Sequence, residues 1–223
     1  GKPEDAIKAY DKAISLKPNY AEAHNNIGLA FFDHDQVGKS TLAFKKAISL
    51  KPSYADAWCN LGNAYQALEK FDDAAACLKK ILTDYPNFSE AHNNLGNVFK
   101  EMGALAGAIS SFKQAYSLDP SSTISHSNYL LAMQYSNGQT AKTLFEVHQY
   151  WDSVHAQKLR PLWPEHNNLP DPDRRLRVGF VSPDLGQHPV GYFVVGLFEY
   201  LSKKDFQIIA YSDRKSDKLT ERI

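Results

Sequence analysis

The sequence is short of several things, and each shortage narrows the reading. There are only two cysteines in 223 residues, Cys59 and Cys77, and they form no C-x-x-C pair. That argues against a disulfide-stapled secreted framework and for free thiols in a reducing, cytoplasmic (or nucleocytoplasmic) setting. Net charge is missing too: 25 Lys plus Arg offset 25 Asp plus Glu, for a formal charge of zero. Such a balance gives no reason to expect a nucleic acid or an anionic membrane as partner. Long apolar runs are absent. The longest, VGYFVVGLFEYL at residues 190–201, is too short for a bilayer span and carries Glu199. Gly186 and Gly191 are spaced too widely for a dinucleotide fingerprint. GFVSPD is no nucleophile elbow, so Ser182 is not expected to attack a substrate.

What is present is a clock. Pro18, Pro52, Pro86 and Pro120 fall at equal steps of 34 residues, and Gly28, Gly62 and Gly96 keep the same time. So do Ile27, Leu61 and Leu95, then Phe31, Tyr65 and Phe99, and in the second half of each unit Tyr10, Phe44, Leu78 and Phe112. A period of 34 with small and aromatic positions in fixed register resembles the tetratricopeptide repeat. Each unit reads as two amphipathic helices that approach closely at glycine and alanine, with an aromatic filling the gap and proline ending the second helix. One unit cannot bury its own apolar face, so the units must stack into a superhelix. Residues 1–18 supply only a second helix, and the opening GKPEDAIKAY reads as the middle of a longer array. Three full units follow, at about 19–52, 53–86 and 87–120, and a fourth starts at Thr123 and loses the pattern, with Leu130 where glycine belongs.

Two further columns keep the period. Asn26, Asn60, Asn94 and Asn128 form a polar one that core packing does not require. A carboxamide offers a donor and an acceptor, so a ladder of them suits the backbone of an extended peptide of any sequence. The competing reading is that these side chains satisfy polar contacts within the stack. His24, His92 and His126, with Trp58 in the remaining slot, form the other column. Metal ligands must converge on one point, which a 34-residue spacing along a stack does not allow. No metal is expected, and these residues read as packing groups.

Beyond the repeats the pattern changes twice. Gln139 to Leu159 is helical, with Leu144, Val147, Trp151 and Val154 on one face and Phe145, His148 and His155 alongside. RPLWPEHNNLPDPDRR, with four prolines and six charged residues, reads as a linker. LRVGFVS is a short β-rich run suited to a buried parallel strand. Pro189 to Lys204 reads as a helix, with Phe193, Leu197 and Leu201 along one face, and FQIIAYSD as a second strand; DKLTERI starts another helix. The fold class is therefore mostly α: a tetratricopeptide α-α superhelix over 1–137, a helical connector and Pro-rich linker over 138–175, and the first βαβ unit of a Rossmann-like lobe over 176–223. The first strand of such a sheet is normally central, so its other neighbour is expected from a further lobe or a second chain. His188 follows that strand and opens a helix, the place where open α/β sheets bind ligands. A histidine there serves as a base, binds a polar ligand, or simply caps the helix.

The whole arrangement resembles the tetratricopeptide-containing O-linked N-acetylglucosamine (O-GlcNAc) transferase family, its bacterial members and its SPINDLY branch. The residues that carry the likeness are the asparagine ladder, HSNYLLAMQY, FEVHQYW and above all LRVGFVSPDLGQHPVGYF. The resemblance implies a two-lobed glycosyltransferase that moves a sugar from a nucleotide donor, N-acetylglucosamine from UDP-GlcNAc or else fucose, to protein serine or threonine without a metal or other cofactor. It implies that His188 is the family's histidine in the amino-terminal catalytic lobe, a candidate base or lining group, with Asp184 and Tyr192 as nearby candidates. Acceptor proteins are then the partners of the repeats' concave face, and this stretch alone is expected to be inactive. The alternative is a non-catalytic scaffold with a remnant α/β segment.

Overall fold

The computed structural model describes residues 3–165, 171, 173–213 and 215–223, and it divides into two compact units, Gly1–Trp163 and Pro164–Ile223. Part of the expected linker, residues 166–170 and 172, lies outside the described residues. The first unit is a run of helices: α1 (Pro3–Leu16), α2 (Ala21–Asp33), α3 (Val37–Leu50), α4 (Ala55–Ala67), α5 (Phe71–Asp84), α6 (Ser89–Glu101), α7 (Leu105–Leu118), α8 (Thr123–Tyr135) and α9 (Ala141–Trp151). The glycine column sets how closely the two helices of a unit approach. A Cβ on Gly28 would stand 2.5 Å from the Phe44 ring, on Gly62 3.0 Å from Leu78, and on Gly96 2.6 Å from Phe112. Those three partners are fully buried, and each such burial is worth about 1.5–3 kcal/mol. The prolines act through the residue before them. Lys51, Tyr85 and Asp119 sit at φ of −139°, −131° and −129°, the extended range a following proline enforces, and the second helices stop there.

The ring column proves to be a hydrogen-bonding column. His24 Nε2, Trp58 Nε1 and His92 Nε2 lie 2.9, 2.9 and 2.8 Å from the carbonyls of Pro18, Pro52 and Pro86. Imidazole and indole share a ring N–H, which is why tryptophan substitutes for histidine in that slot. The N–H holds down the carbonyl of the proline six residues back, so these rings do more than pack.

The fourth unit is complete as a helix pair. Tyr129, Leu130 and Met133 of α8 cluster with Leu144, Val147 and Trp151 of α9. Leu130 keeps α9 from the close approach seen elsewhere, and the sequence pattern fades with it. A π-helix at Asp152–Ala156 and a 3-10 helix at Gln157–Leu162 follow. The π-turn brings His155 onto His126, which has left its proline carbonyl: His126 Nδ1 and His155 Nε2 are 3.1 Å apart, and both rings are buried.

That buried pair makes stability depend on pH. Tyr116 of α7 stacks on His126 at 4.5 Å, Tyr129 of α8 lies against Tyr116, and Tyr150 and Trp151 of α9 close the cluster. Burial first, and the neighbouring His155 second, hold His126 below the ordinary histidine range. The unfolded chain then binds the proton more readily. Stability is full above the usual histidine range near about 6.5 and falls as pH drops below it. Unfolding midpoints taken from about pH 8 down to pH 5 should fall more steeply for the wild type than for a His126→Phe, His155→Phe variant; parallel curves would remove the pair as the cause.

The second unit is strand, helix, strand: β1 (Leu176–Val181), α10 (Pro189–Tyr200) and β2 (Phe206–Tyr211), with β1 and β2 parallel and Leu176 opposite Phe206. It departs from expectation in three ways. β1 is largely exposed rather than buried, because among the described residues its sheet has two strands and α10 covers one face. α10 ends at Tyr200, and its buried face is Gly191, Val195 and Phe198; Phe193 is 84% exposed, Leu197 is exposed and Leu201 lies beyond the helix. A Cβ on Gly191 would collide with the Gly186 backbone, so contact there fixes the roll of the helix and seats Phe198 on Phe180, with ring centroids 4.6 Å apart. Finally, DKLTERI forms hydrogen-bonded turns rather than a helix, with Asp217 bonding the Leu219 and Thr220 N–H groups.

Candidate functional sites

Each unit carries its own candidate site. In the first, α2, α4, α6 and α8 touch one another along the stack while the second helices approach less, so the first helices line the inner side of the array. All four asparagines of the ladder lie on these helices. Asn26, Asn60 and Asn128 are half-buried and Asn94 is buried. Asn60 Nδ2 donates to Asn25 Oδ1 at 2.9 Å, and Asn128 Nδ2 donates to Asn93 Oδ1 at 3.0 Å. The column therefore has contacts inside the stack, while Asn26, Asn60 and Asn128 are also partly exposed. The period also holds a column that attention to core and asparagine passed over. Glu22, Asp56 and Glu90 stand one helical turn before Asn26, Asn60 and Asn94. Lys51 lies 3.0 Å from Glu22, while burial and then Asp56 push the Glu90 carboxyl up.

In the second unit the chain leaves β1 into a tight loop. The Asp184 N–H donates to Ser182 Oγ at 3.0 Å, the Leu185 side chain is buried, and the Gly186 N–H donates to the Asp184 carbonyl at 3.0 Å. His188 then caps α10: its Nδ1 accepts the Val190 N–H at 3.3 Å. Asp184 Oδ1 stands 3.9 Å from the same Nδ1. Tyr192 lies one turn further on, largely exposed. Beside the loop, at the carboxyl ends of both strands, an open depression of about 540 Å³ is lined by Ser182, Pro183, Tyr211, Ser212 and Asp213. This arrangement gives His188 two neutral forms. With the lone pair on Nδ1 it caps the helix and presents Nε2–H as a donor. With the proton on Nδ1, facing Asp184, it presents a basic Nε2.

The residue that holds the loop is one that sequence spacing did not reveal. Asp217 Oδ2 accepts the Gln187 N–H at 2.8 Å, next to His188, from a point 30 residues on. Backbone donors, that of Gln187 foremost, lower the Asp217 carboxyl to about 2. A carboxyl held down in the folded chain stabilises it above the usual value of 3.8, and that contribution is lost as pH falls toward about 2. Asp217→Asn should raise the amide exchange rate at Gln187 and His188 at neutral pH while β1 and α10 keep theirs. Unchanged exchange across the loop would show that Asp217 does not position it.

The TPR repeat family matches residues 1–35 and 38–69, and the tetratricopeptide repeat family matches 59–123. A probable UDP-N-acetylglucosamine–peptide N-acetylglucosaminyltransferase SPINDLY of Arabidopsis thaliana is 34% identical over 95 residues, 43% of this chain and 10% of that protein. Its counterpart in Solanum lycopersicum is 35% identical over 106 residues, 47% of this chain and 11% of that protein. A solved O-GlcNAc transferase of Thermobaculum terrenum, a K341M mutant, aligns with all of this chain at 28% identity and a TM-score of 0.66. The chain carries tetratricopeptide repeats and is similar to O-GlcNAc transferases. It spans about a tenth of the length of the SPINDLY proteins and 40% of the bacterial chain. MamA of Desulfovibrio magneticus, 19% identical with a TM-score of 0.61, matches 69% of this chain and shares its helical fold. No helix among the described residues is long and apolar enough to cross a membrane.

Proposed function

We propose that this chain is part of a protein O-glycosyltransferase, its repeats holding the acceptor polypeptide and its second unit contributing to the sugar-transfer cleft. The observation that carries this reading is the coverage of the bacterial O-GlcNAc transferase. It aligns with all of the chain, β1, the His188 loop, α10 and β2 included. A scaffold of repeats alone gives no reason for that second unit. The bacterial enzyme has more chain than is matched here, and the reaction is proposed for a protein that carries the counterpart of that remainder. The donor in this reading is UDP-N-acetylglucosamine, the sugar nucleotide for which the SPINDLY relatives are named. Buried free thiols at Cys59 and Cys77, their ionisation disfavoured by burial, suit a reducing compartment such as the cytoplasm.

The chemistry asked of the site is a displacement. A serine or threonine oxygen forms a bond to the anomeric carbon, the bond from that carbon to the diphosphate breaks, and the hydroxyl proton leaves. His188 takes part in one of its two forms. As the Nε2–H donor it orients the acceptor or the leaving oxygen; turned toward Asp184, its Nε2 accepts the hydroxyl proton, as the carboxylate–imidazole pairs of other enzymes do. Asp184 selects the second form, and Tyr192, exposed one turn along α10, is a further candidate contact for substrate.

His188→Asn separates chemistry from capping. An asparagine oxygen still accepts the Val190 N–H, so the helix start is kept. No proton acceptor remains. In the complete enzyme turnover should fall by at least about 10²-fold with the unfolding midpoint kept. His188→Ala should lose both turnover and about 1 kcal/mol of stability. Near-normal turnover of His188→Asn would leave His188 as a cap alone.

A further inference from the structure

The asparagine ladder is not four equal rungs. Asn60 Nδ2 bonds Asn25 Oδ1, and Asn25 Nδ2 in turn lies 3.4 Å from Asn26 Oδ1. Two units on, the same figure recurs: Asn128 Nδ2 bonds Asn93 Oδ1, and Asn93 Nδ2 lies 3.5 Å from Asn94 Oδ1. A second column, the residue just before each rung, thus links the rungs in two pairs, 26 with 60 and 94 with 128. Between the pairs that column holds Cys59, which is fully buried. A thiol is a weak acceptor and a weak donor. Asn94 loses the acceptor that Asn60 and Asn128 have, and its Nδ2 is buried with no partner. Asn94 as a whole is 8% exposed. Asn60 loses the neighbouring donor that Asn26 and Asn94 have, and among the described residues its Oδ1 accepts from no other side chain.

We infer that the junction of the second and third units, between Asn60 and Asn94, is where an extended polypeptide is held most strongly by its backbone. This rests on the reading of the repeats as the acceptor-binding part. A peptide unit carries one N–H and one C=O. The break at Cys59 leaves one free acceptor, Asn60 Oδ1, and one orphaned donor, Asn94 Nδ2, on adjacent rungs of the inner helices. A buried donor without a partner gains more from a new acceptor than one already bonded. No stack partner accepts from Asn94 Nδ2, so turning this amide toward the groove gives up only the 3.5 Å contact of its Oδ1 with Asn93 Nδ2. The Nδ2 groups of Asn60 and Asn128 are already committed to Asn25 and Asn93, and a bound peptide gains less from those donors.

The test is binding of an uncharged extended peptide of repeating Thr-Val-Ser to the full chain and its variants, read by fluorescence anisotropy, with unfolding midpoints alongside. Asn60→Ala and Asn94→Ala should each weaken binding by about two- to tenfold, and Asn26→Ala and Asn128→Ala by less than twofold. Cys59→Asn rebuilds the missing link and should raise the midpoint while weakening binding by a similar two- to tenfold. Should Cys59→Asn not fold, Cys59→Ser, whose hydroxyl both donates and accepts, should shift binding the same way by less. Equal losses at all four asparagines would overturn this inference and leave acceptor binding standing. So would a Cys59→Asn or Cys59→Ser chain that binds as the wild type does. A wild-type chain that does not bind the peptide would overturn both.

Discussion

The closeness of the two helices within each unit is the constraint on which the rest depends. Glycine at 28, 62 and 96 lets a buried Phe44, Leu78 or Phe112 come within the space a methyl would fill. That contact fixes how each pair is rolled, and so which face of the first helix turns inward. Only with that roll repeated do residues 35 positions apart, such as Asn60 and Asn25, meet at hydrogen-bond distance. A core contact of carbon on carbon thus sets the reach of a polar column it never touches. Where the glycine is lost, at Leu130, α9 packs more loosely on α8. The ring at that unit then turns from a proline carbonyl to His155.

Much of the first unit was legible because periodicity is a strong signal: each core position is stated three or four times over. What could not be read was the role of a column whose members differ in type but share one group. His24, Trp58 and His92 look like aromatic packing until their ring N–H groups are found on proline carbonyls. Asp35, Glu69 and Gly103 likewise share nothing obvious. All three adopt positive φ, at 58°, 57° and 72°, to turn the first helix into the second. Only the glycine advertises it. Geometry keeps the period there while chemistry does not.

The second unit was legible in its order of elements and poorly legible in its phase. Helix α10 is apolar on more than one side, so spacing alone chose Phe193 and Leu197 for the buried face. The deciding contact is backbone to backbone, Gly191 on Gly186, and it leaves no mark in hydropathy. The same limit hid Asp217. Its tie to the Gln187 N–H spans 30 residues and uses a main-chain donor, which every residue type but proline supplies. His188 was findable because it stands alone in a loop at the end of a strand. Its doubled role was not, because capping and proton transfer use the same nitrogen pair in opposite forms.

Cys59 belongs both to the core and to the polar column. As a core residue it is faultless: fully buried, small, and packed with Ala74, Leu78 and Leu95. As a member of the polar column it is a defect, since it leaves the Asn94 amide without a partner in a stack that satisfies the equivalent groups on either side. An unpaired buried amide costs about 1–3 kcal/mol, and asparagine fits the same slot at positions 25 and 93. A stack built for stability alone would carry asparagine there. The junction that gives up this stabilisation leaves a buried donor without a partner, Asn94 Nδ2, on the rung next to Asn60 Oδ1. Strain of this kind has a use only if something outside the stack relieves it, and a peptide backbone offers the two groups the break is missing.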